Sequence, residues 1–231
     1  ANMKKFFALV LTFFVTANIL PLQAAGSVWN TEDGVIISGK TDSKKIALTF
    51  DDGPHPSKTD KILDLLEQYH IHATFFVIGQ NVAAYPKVVL REIEEGHEIG
   101  NHTYSHKSLY RCQKDTVEKE IISTEEILLE KAGYVPRVFR PPEGAYTCDI
   151  LDVANRMNYD VILWTIDTRD WAKASTNKIV ETVENKVKNG SIILMHDYTS
   201  NGTHTLDALK ILIPKLIDMG YEFVTVSELI G

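Results

Sequence analysis

Apolar residues fall along this chain in short continuous runs, and between those runs they recur at helical spacing. A short apolar run bounded by turn residues marks a strand buried on both faces, whereas recurrence every three to four residues marks a helix with one face in the core. On this basis strands are expected at 46–51, 73–78, 97–100, 137–140, 161–166, 192–195 and 222–226. Helices are expected between them at about 58–69, 86–96, 116–132, 149–157, 176–188 and 205–219. Ser57, Ser175 or Thr176, and Ser227 are the expected helix caps, Pro86 a helix start, and Gly96 and Gly133 helix stops. Pro214 should kink or split its helix. Charges on the 116–132 helix are expected to face outward, and 35–38 to form a short strand closing the bottom of the fold. Strand and helix alternate about seven times without a hairpin signal, which predicts an α/β fold of about seven parallel strands. A barrel and an open sheet both satisfy that pattern.

The polar residues that break the apolar pattern collect at one end of the strands. Ile46 to Phe50 runs straight into Asp51 and Asp52, and Gly53-Pro54 then turns the chain. Neighbouring side chains of an extended segment point to opposite sides. The two carboxylates therefore suit different jobs, one holding a metal and the other acting as a base; a turn or helix cap is the simpler alternative. The strand at 97–100 empties into Asn101-His102-Thr103-Tyr104-Ser105-His106, where two histidines at i and i+4 would share one face of a helical turn. Arg140, Asp167, Asp170 and His196 also follow strands directly, while the opposite strand ends are bland. In a (β/α) barrel the carboxyl ends of the strands form the active face.

Composition narrows the partners. The chain has 231 residues, 44% hydrophobic and 24% charged, enough for one large domain and its core. Lys4 and Lys5 ahead of a run from Phe6 to Leu20 that is apolar except for Thr12, Thr16 and Asn18, with Leu22-Gln23-Ala24 as a cleavage signal, predict a secretory leader at 1–24. Met3 is then the natural start, with Ala1 and Asn2 added ahead of it. The domain organisation expected is this leader, an extension at 25–45 and a catalytic domain at 46–231. If the leader stays uncleaved it is a membrane anchor; either way the domain is secreted or associated with the cell envelope. The formal charge of −7 becomes −9 once Lys4 and Lys5 are removed, and no basic stripe interleaved with aromatics appears, so nucleic acid is not an expected partner. Cys112 and Cys148 can pair or stay free in an exported protein of this size.

The residues at the strand ends also resemble a known family. TFDDGP at 49–54, HTYSH at 102–106, RPPEG at 140–144, DTRDW at 167–171 and LMH at 194–196 resemble, in order, the five motifs of the polysaccharide deacetylases, carbohydrate esterase family four or NodB homology domain. The resemblance spans residues 46 to 226 and implies a deformed (β/α) barrel that hydrolyses acetyl groups on a sugar polymer with a divalent metal. It implies Asp52, His102 and His106 as metal ligands, two imidazoles and one carboxylate that leave positions open for water and substrate. Zinc is the first expectation, with cobalt, nickel and ferrous iron also suited to these donors. Asp51 is implied as general base with Arg140 as its charged neighbour. The peptide N–H of Glu143 is implied as an oxyanion donor, and His196 as general acid with Asp170 raising its pKa. Trp171 and Leu194 are expected to line the acetyl pocket, with Asp167 on the substrate side. Glu143 departs from the aromatic or small residue of many relatives, so its side chain should turn outward. The implied substrate is peptidoglycan, with chitin oligomers and acetylated xylan as alternatives, and the protein is expected to be a monomer. A non-catalytic sugar-binding module should have lost Asp51 or His196, and a phosphoesterase should show more ligands or a basic phosphate cradle.

Overall fold

The computed structural model describes residues 29–30, 34–199 and 203–231. The expected leader and its cleavage signal lie outside the described residues, as do positions 200–202 of the loop after His196. The chain enters through a small antiparallel pair, β1 (Trp29–Asn30) and β2 (Ile36–Ser38). There follow β3 (Lys45–Asp51), α1 (Thr59–Gln68), β4 (Thr74–Val77), α2 (Gly79–Ala84), α3 (Pro86–Glu94), β5 (Glu98–Asn101) and α4 (Lys114–Ala132). The second half runs β6 (Val138–Phe139), α5 (Cys148–Arg156), β7 (Asp160–Val161), β8 (Ile166–Asp167), α6 (Thr176–Lys186), β9 (Ile192–His196), α7 (Thr205–Asp218), β10 (Glu222–Phe223) and α8 (Val226–Ile230).

Strands pair in the order β7-β6-β5-β4-β3-β9-β8, all parallel, and β10 pairs with the start of β3. β7 and β8 stand at the two ends of that order yet are consecutive in the chain, so the sheet curls until its edges meet. The single strand expected at 161–166 is therefore broken. Its first half pairs with β6 and its second with β9. β2 lies across the break, where Leu163 N–H donates to the Ile36 carbonyl at 2.8 Å and Ser38 bridges Ser191. The result is a deformed (β/α) barrel.

Side chains alternate between two buried faces along β3, as a strand covered on both sides requires. Ile46, Leu48 and Phe50 pack outward with Leu63, Leu66, Leu209 and Ile213 of the helices, whereas Ala47 joins Phe76, Val138 and Ile162 in a separate cluster. Thr49 and Asp51 share the side of Ala47, so Asp51 enters the barrel and Asp52 does not follow it. Pairing sets Asp51 level with His196 and Phe76, which brings these strand ends to one rim.

Several helix ends differ from expectation. Ser57 does not cap α1; Thr59 Oγ1 instead accepts the His55 N–H at 2.8 Å. α8 is capped by Thr225 in a capping box with Glu228, because the hydroxyl of Ser227 is taken by Glu98. α7 passes through Pro214 as one helix. An interior proline costs about 3 kcal/mol, and burial of Leu209, Leu212, Ile213 and Leu216 on this helix, at about 1.5–3 kcal/mol each, outweighs it. Ser175 caps α6 and Gly133, at φ 62°, ends α4 as expected. Cys112 and Cys148 are both free.

Candidate active site

Asp51 enters the barrel against a buried cation. Its Oδ1 accepts from Arg140 Nη1 at 2.7 Å, and the same nitrogen donates to Thr49 Oγ1 at 2.9 Å. Arg140 is fully buried, with Nε on the Ile162 carbonyl at 3.2 Å and Nη2 on the Leu163 carbonyl at 3.0 Å. Burial draws the guanidinium pKa down and Asp51 pulls it back. The Phe76 ring, 4.0 Å from the guanidinium carbon, covers one face of the charge.

Asp52 stands at the next position with φ 78°, held by Asn81 Nδ2, which donates to its carbonyl at 2.8 Å. Gly53 is required there, because an added Cβ would collide with the Asp197 carboxylate. The histidines do not lie on a helical turn as their spacing suggests. Thr103 and His106 take φ values of 68° and 55°, and the loop folds back until the two rings are 5.0 Å apart. Two side chains hold this loop. Asn101 Oδ1 accepts the Thr103 N–H at 2.9 Å, and Glu120 accepts the Tyr104 and Ser105 N–H groups at 3.0 and 2.9 Å. Glu120 thus faces inward from α4, contrary to the expected outward charges. Nothing local in the sequence distinguishes it from its acidic neighbours.

The donors fit a metal. His102 Nδ1 lies 2.7 Å from the Arg140 carbonyl, which can only accept, so that nitrogen carries the proton and Nε2 presents its lone pair. Burial lowers the His102 pKa and favours the neutral ring, although Asp51 and Asp52 oppose it. Asp52 Oδ1 lies 3.6 Å from His102 Nε2 and 3.2 Å from His106 Nε2, and it is buried without a hydrogen-bond partner. Ligand atoms of Asp52, His102 and His106 fall within 4.8 Å of one another. An oxygen left without a donor beside the His102 lone pair and the His106 ring is what a divalent ion would satisfy.

His196 stands across from them on β9. Its Nδ1 contacts Asp170 Oδ1 at 2.8 Å, and its peptide N–H donates to Asp170 Oδ2 at 2.8 Å. Burial alone would lower the imidazole pKa. The Asp170 hydrogen bond and charge, with Asp51 and Asp52 behind them, outweigh it and hold His196 at about 9.

A cleft of about 330 Å³ joins Asp51, Asp52, His102, His106 and His196 to Trp171, Leu194, Asp167 and Glu143. Arg140 and Asp170 lie behind it, fully buried. Trp171 is 49% exposed and sits on the rim, its Nε1 donating to Asp167 Oδ1 at 3.3 Å. Trp164 also lines the cleft, a residue the sequence places inside a strand; the break at 162–165 frees it to turn inward. The Glu143 carboxylate accepts from Ser108 Oγ at 3.0 Å. Glu143 itself has φ 61°, and the N–H groups of Gly144 and Ala145 close onto Pro141 and Pro142. Among the described residues no carbonyl accepts the Glu143 N–H.

Comparison with known proteins agrees with this geometry. The family model described as Polysaccharide deacetylase matches residues 38–162. The chain is 41% identical over 204 residues to the peptidoglycan-N-acetylglucosamine deacetylase of Bacillus cereus, across 87% of this chain and 74% of that protein. To the peptidoglycan-N-acetylmuramic acid deacetylase PdaC of Bacillus subtilis it is 42% identical over 186 residues, 80% of this chain but only 38% of that longer protein. Among solved structures, the Bc1960 peptidoglycan N-acetylglucosamine deacetylase, crystallised with an N-hydroxy benzamide, has a TM-score of 0.80 at 41% identity, over 84% of this chain and 91% of that one. Similarity at this level over most of its length means that the chain belongs to the polysaccharide deacetylase family.

Proposed function

We infer that this protein removes acetyl groups from the N-acetylated amino sugars of peptidoglycan, acting at the cell envelope as a monomer. The observation that carries the chemistry is the partnerless Asp52 Oδ1 facing two imidazoles, in one cleft with an arginine-paired carboxylate and an aspartate-backed histidine. Asp52, His102 and His106 would hold a divalent ion, zinc by donor type, which supplies a Lewis acid that acidifies water and polarises the acetyl carbonyl.

The chain's own groups then divide the proton work. Asp51, fixed and charge-paired by Arg140, takes a proton from the attacking water. The free N–H of Glu143 receives the oxyanion that develops as the amide carbon becomes tetrahedral. His196 gives its proton to the sugar nitrogen as the C–N bond breaks, leaving acetate and a free amine. Asp170 keeps that imidazole protonated and aimed. Trp164, Trp171 and Leu194 supply an apolar lining for the acetyl methyl.

Peptidoglycan is favoured by the relatives named above, which are peptidoglycan deacetylases by name. Mass spectrometry of muropeptides, chitooligosaccharides and acetylxylan after treatment with the purified protein tests the substrate. The muropeptides should lose acetyl mass from their amino sugars; loss confined to acetylxylan or chitooligosaccharide would overturn the assignment.

A further inference from the structure

A second cavity, of about 150 Å³, opens on the other side of His196. It is lined by Lys58, Lys61, Asp197, Thr199 and Thr203 as well as His196 itself. Beside it, on the same two loops, the His55 and Tyr198 rings stack 4.6 Å apart at 5°, with Tyr85, 37% exposed, 5.8 Å from His55. The catalytic chemistry uses none of these groups apart from His196.

The polar groups of the cavity are incompletely paired. Asp197 is 3% exposed and its Oδ1 has no hydrogen-bond partner, and the same is true of the buried Thr199 Oγ1. Neither the Lys58 nor the Lys61 ammonium meets a carboxylate among the described residues. Of the two acids on the wall, Asp197 is tied to Thr59 through Oδ2, and Asp207 to Lys210 at 3.2 Å. With Asp207 matched by Lys210, two unpaired ammonium groups face the single carboxylate of Asp197, a local excess of cation in a chain of net charge −7, beside the unused Thr199 hydroxyl. The volume is that of about five waters, room for a charged substituent rather than for a sugar ring. A ring has a surface of its own in the aromatic stack, whose flat faces suit the C–H face of a pyranose.

Position relative to the chemistry selects the occupant. The leaving nitrogen that His196 protonates belongs to the sugar, so the His196 side of the cleft is where the polymer continues. We propose that the His55–Tyr198 stack and the Lys58/Lys61 cavity form a second saccharide subsite that accepts a sugar bearing a carboxylate, next to the sugar being deacetylated. This rests on the peptidoglycan reading, and it separates an acidic glycan from neutral chitin by charge.

The test uses tetrasaccharides of alternating N-acetylglucosamine and its lactyl-ether derivative, with the lactyl carboxylate free or capped as the methylamide, beside neutral tetraacetylchitotetraose. The free acid should exceed the capped form in kcat/KM by about three- to ten-fold at low salt, the scale of two exposed ion pairs, and the ratio should shrink as salt is raised. Lys58→Gln/Lys61→Gln should bring that ratio to about one, while Lys58→Arg/Lys61→Arg preserves it. Activity on tetraacetylchitotetraose should stay within about two-fold in both variants, since neither lysine lies in the catalytic cleft. A ratio near one in the parent protein, or one that the glutamine variant leaves unchanged, overturns the subsite. If the capped lactyl glycan is turned over in that case, the peptidoglycan reading survives. If chitotetraose is deacetylated and neither lactyl glycan is, the peptidoglycan reading falls instead. The subsite is then read from competitive inhibition of chitotetraose turnover by the free-acid glycan, which should weaken in the glutamine variant and refutes the subsite if it does not.

Discussion

Replacing Asp170 with asparagine separates the charge behind His196 from its shape. Each carboxylate oxygen of Asp170 accepts two hydrogen bonds: Oδ1 from His196 Nδ1 and the Trp171 peptide N–H, Oδ2 from the His196 peptide N–H and the Thr205 hydroxyl. An amide must therefore turn its own NH₂ against a backbone N–H, at a stability cost of about 1–3 kcal/mol. The larger effect is on protonation. His196 is held at about 9 against a burial that would take it below 6.5. Its charge on the acid form is present below the folded pKa and lost as pH rises through it, so the alkaline limb of kcat marks that pKa. A bound cation offsets the share due to Asp51 and Asp52, which puts the limb of the loaded enzyme below that of the free chain. In Asp170→Asn the limb should move to lower pH, towards the ordinary imidazole value of about 6.5 or beneath it. With its limb at about 6.5 the variant would keep about 3% of its imidazole protonated at pH 8, a loss of up to about 30-fold in rate, shrinking to well under two-fold at pH 6. The assay is kcat against pH on an acetylated oligosaccharide, with the imidazole titrated directly by NMR and folding checked by thermal melting. An alkaline limb that stays where the parent has it, in a variant that folds, refutes the coupling.

The remaining substitutions read other parts of the site. Asp51→Asn should retain the metal and lose about 100- to 10,000-fold in kcat, whereas Asp52→Ala should lose the metal; metal per chain by plasma mass spectrometry, measured beside kcat, exposes a reversal of the two roles. Glu120→Ala releases the Tyr104 and Ser105 N–H groups that shape the histidine loop, and should weaken metal binding by about 10- to 100-fold in equilibrium dialysis with the far-UV circular dichroism unchanged. Arg140→Met leaves Asp51 buried without its cation and should destabilise the fold by about 3–5 kcal/mol in urea titration; a change under 1 kcal/mol would mean that water or another group replaces the pair.

What the sequence shows and what it hides follow from the range of the interactions involved. Two-faced burial is written in consecutive residues, so β3, β4 and β9 are legible, and the alternation that separates Asp51 from Asp52 holds because Asp51 shares Thr49's side of the strand. The histidine spacing leads to the right pair through the wrong geometry. A positive φ at Thr103 and His106 carries no local signature outside glycine, asparagine and aspartate, and the groups that enforce it, Asn101 and Glu120, act from β5 and α4. Pairing is equally hidden. Residues 161–166 are apolar except for Thr165 and read as one strand, yet their two halves bond to opposite edges of the sheet, a consequence of closure that no window of sequence contains. At this break the carbonyls of Ile162 and Leu163 point into the barrel, and buried carbonyls need donors. Arg140 supplies both, while its remaining nitrogen meets Asp51. The deformation of the barrel and the pairing of the proposed base thus depend on one guanidinium. An unbroken, fully paired strand at 161–166 would satisfy those carbonyls without it, leaving no seat for the charge and no opening through which Trp164 reaches the cleft.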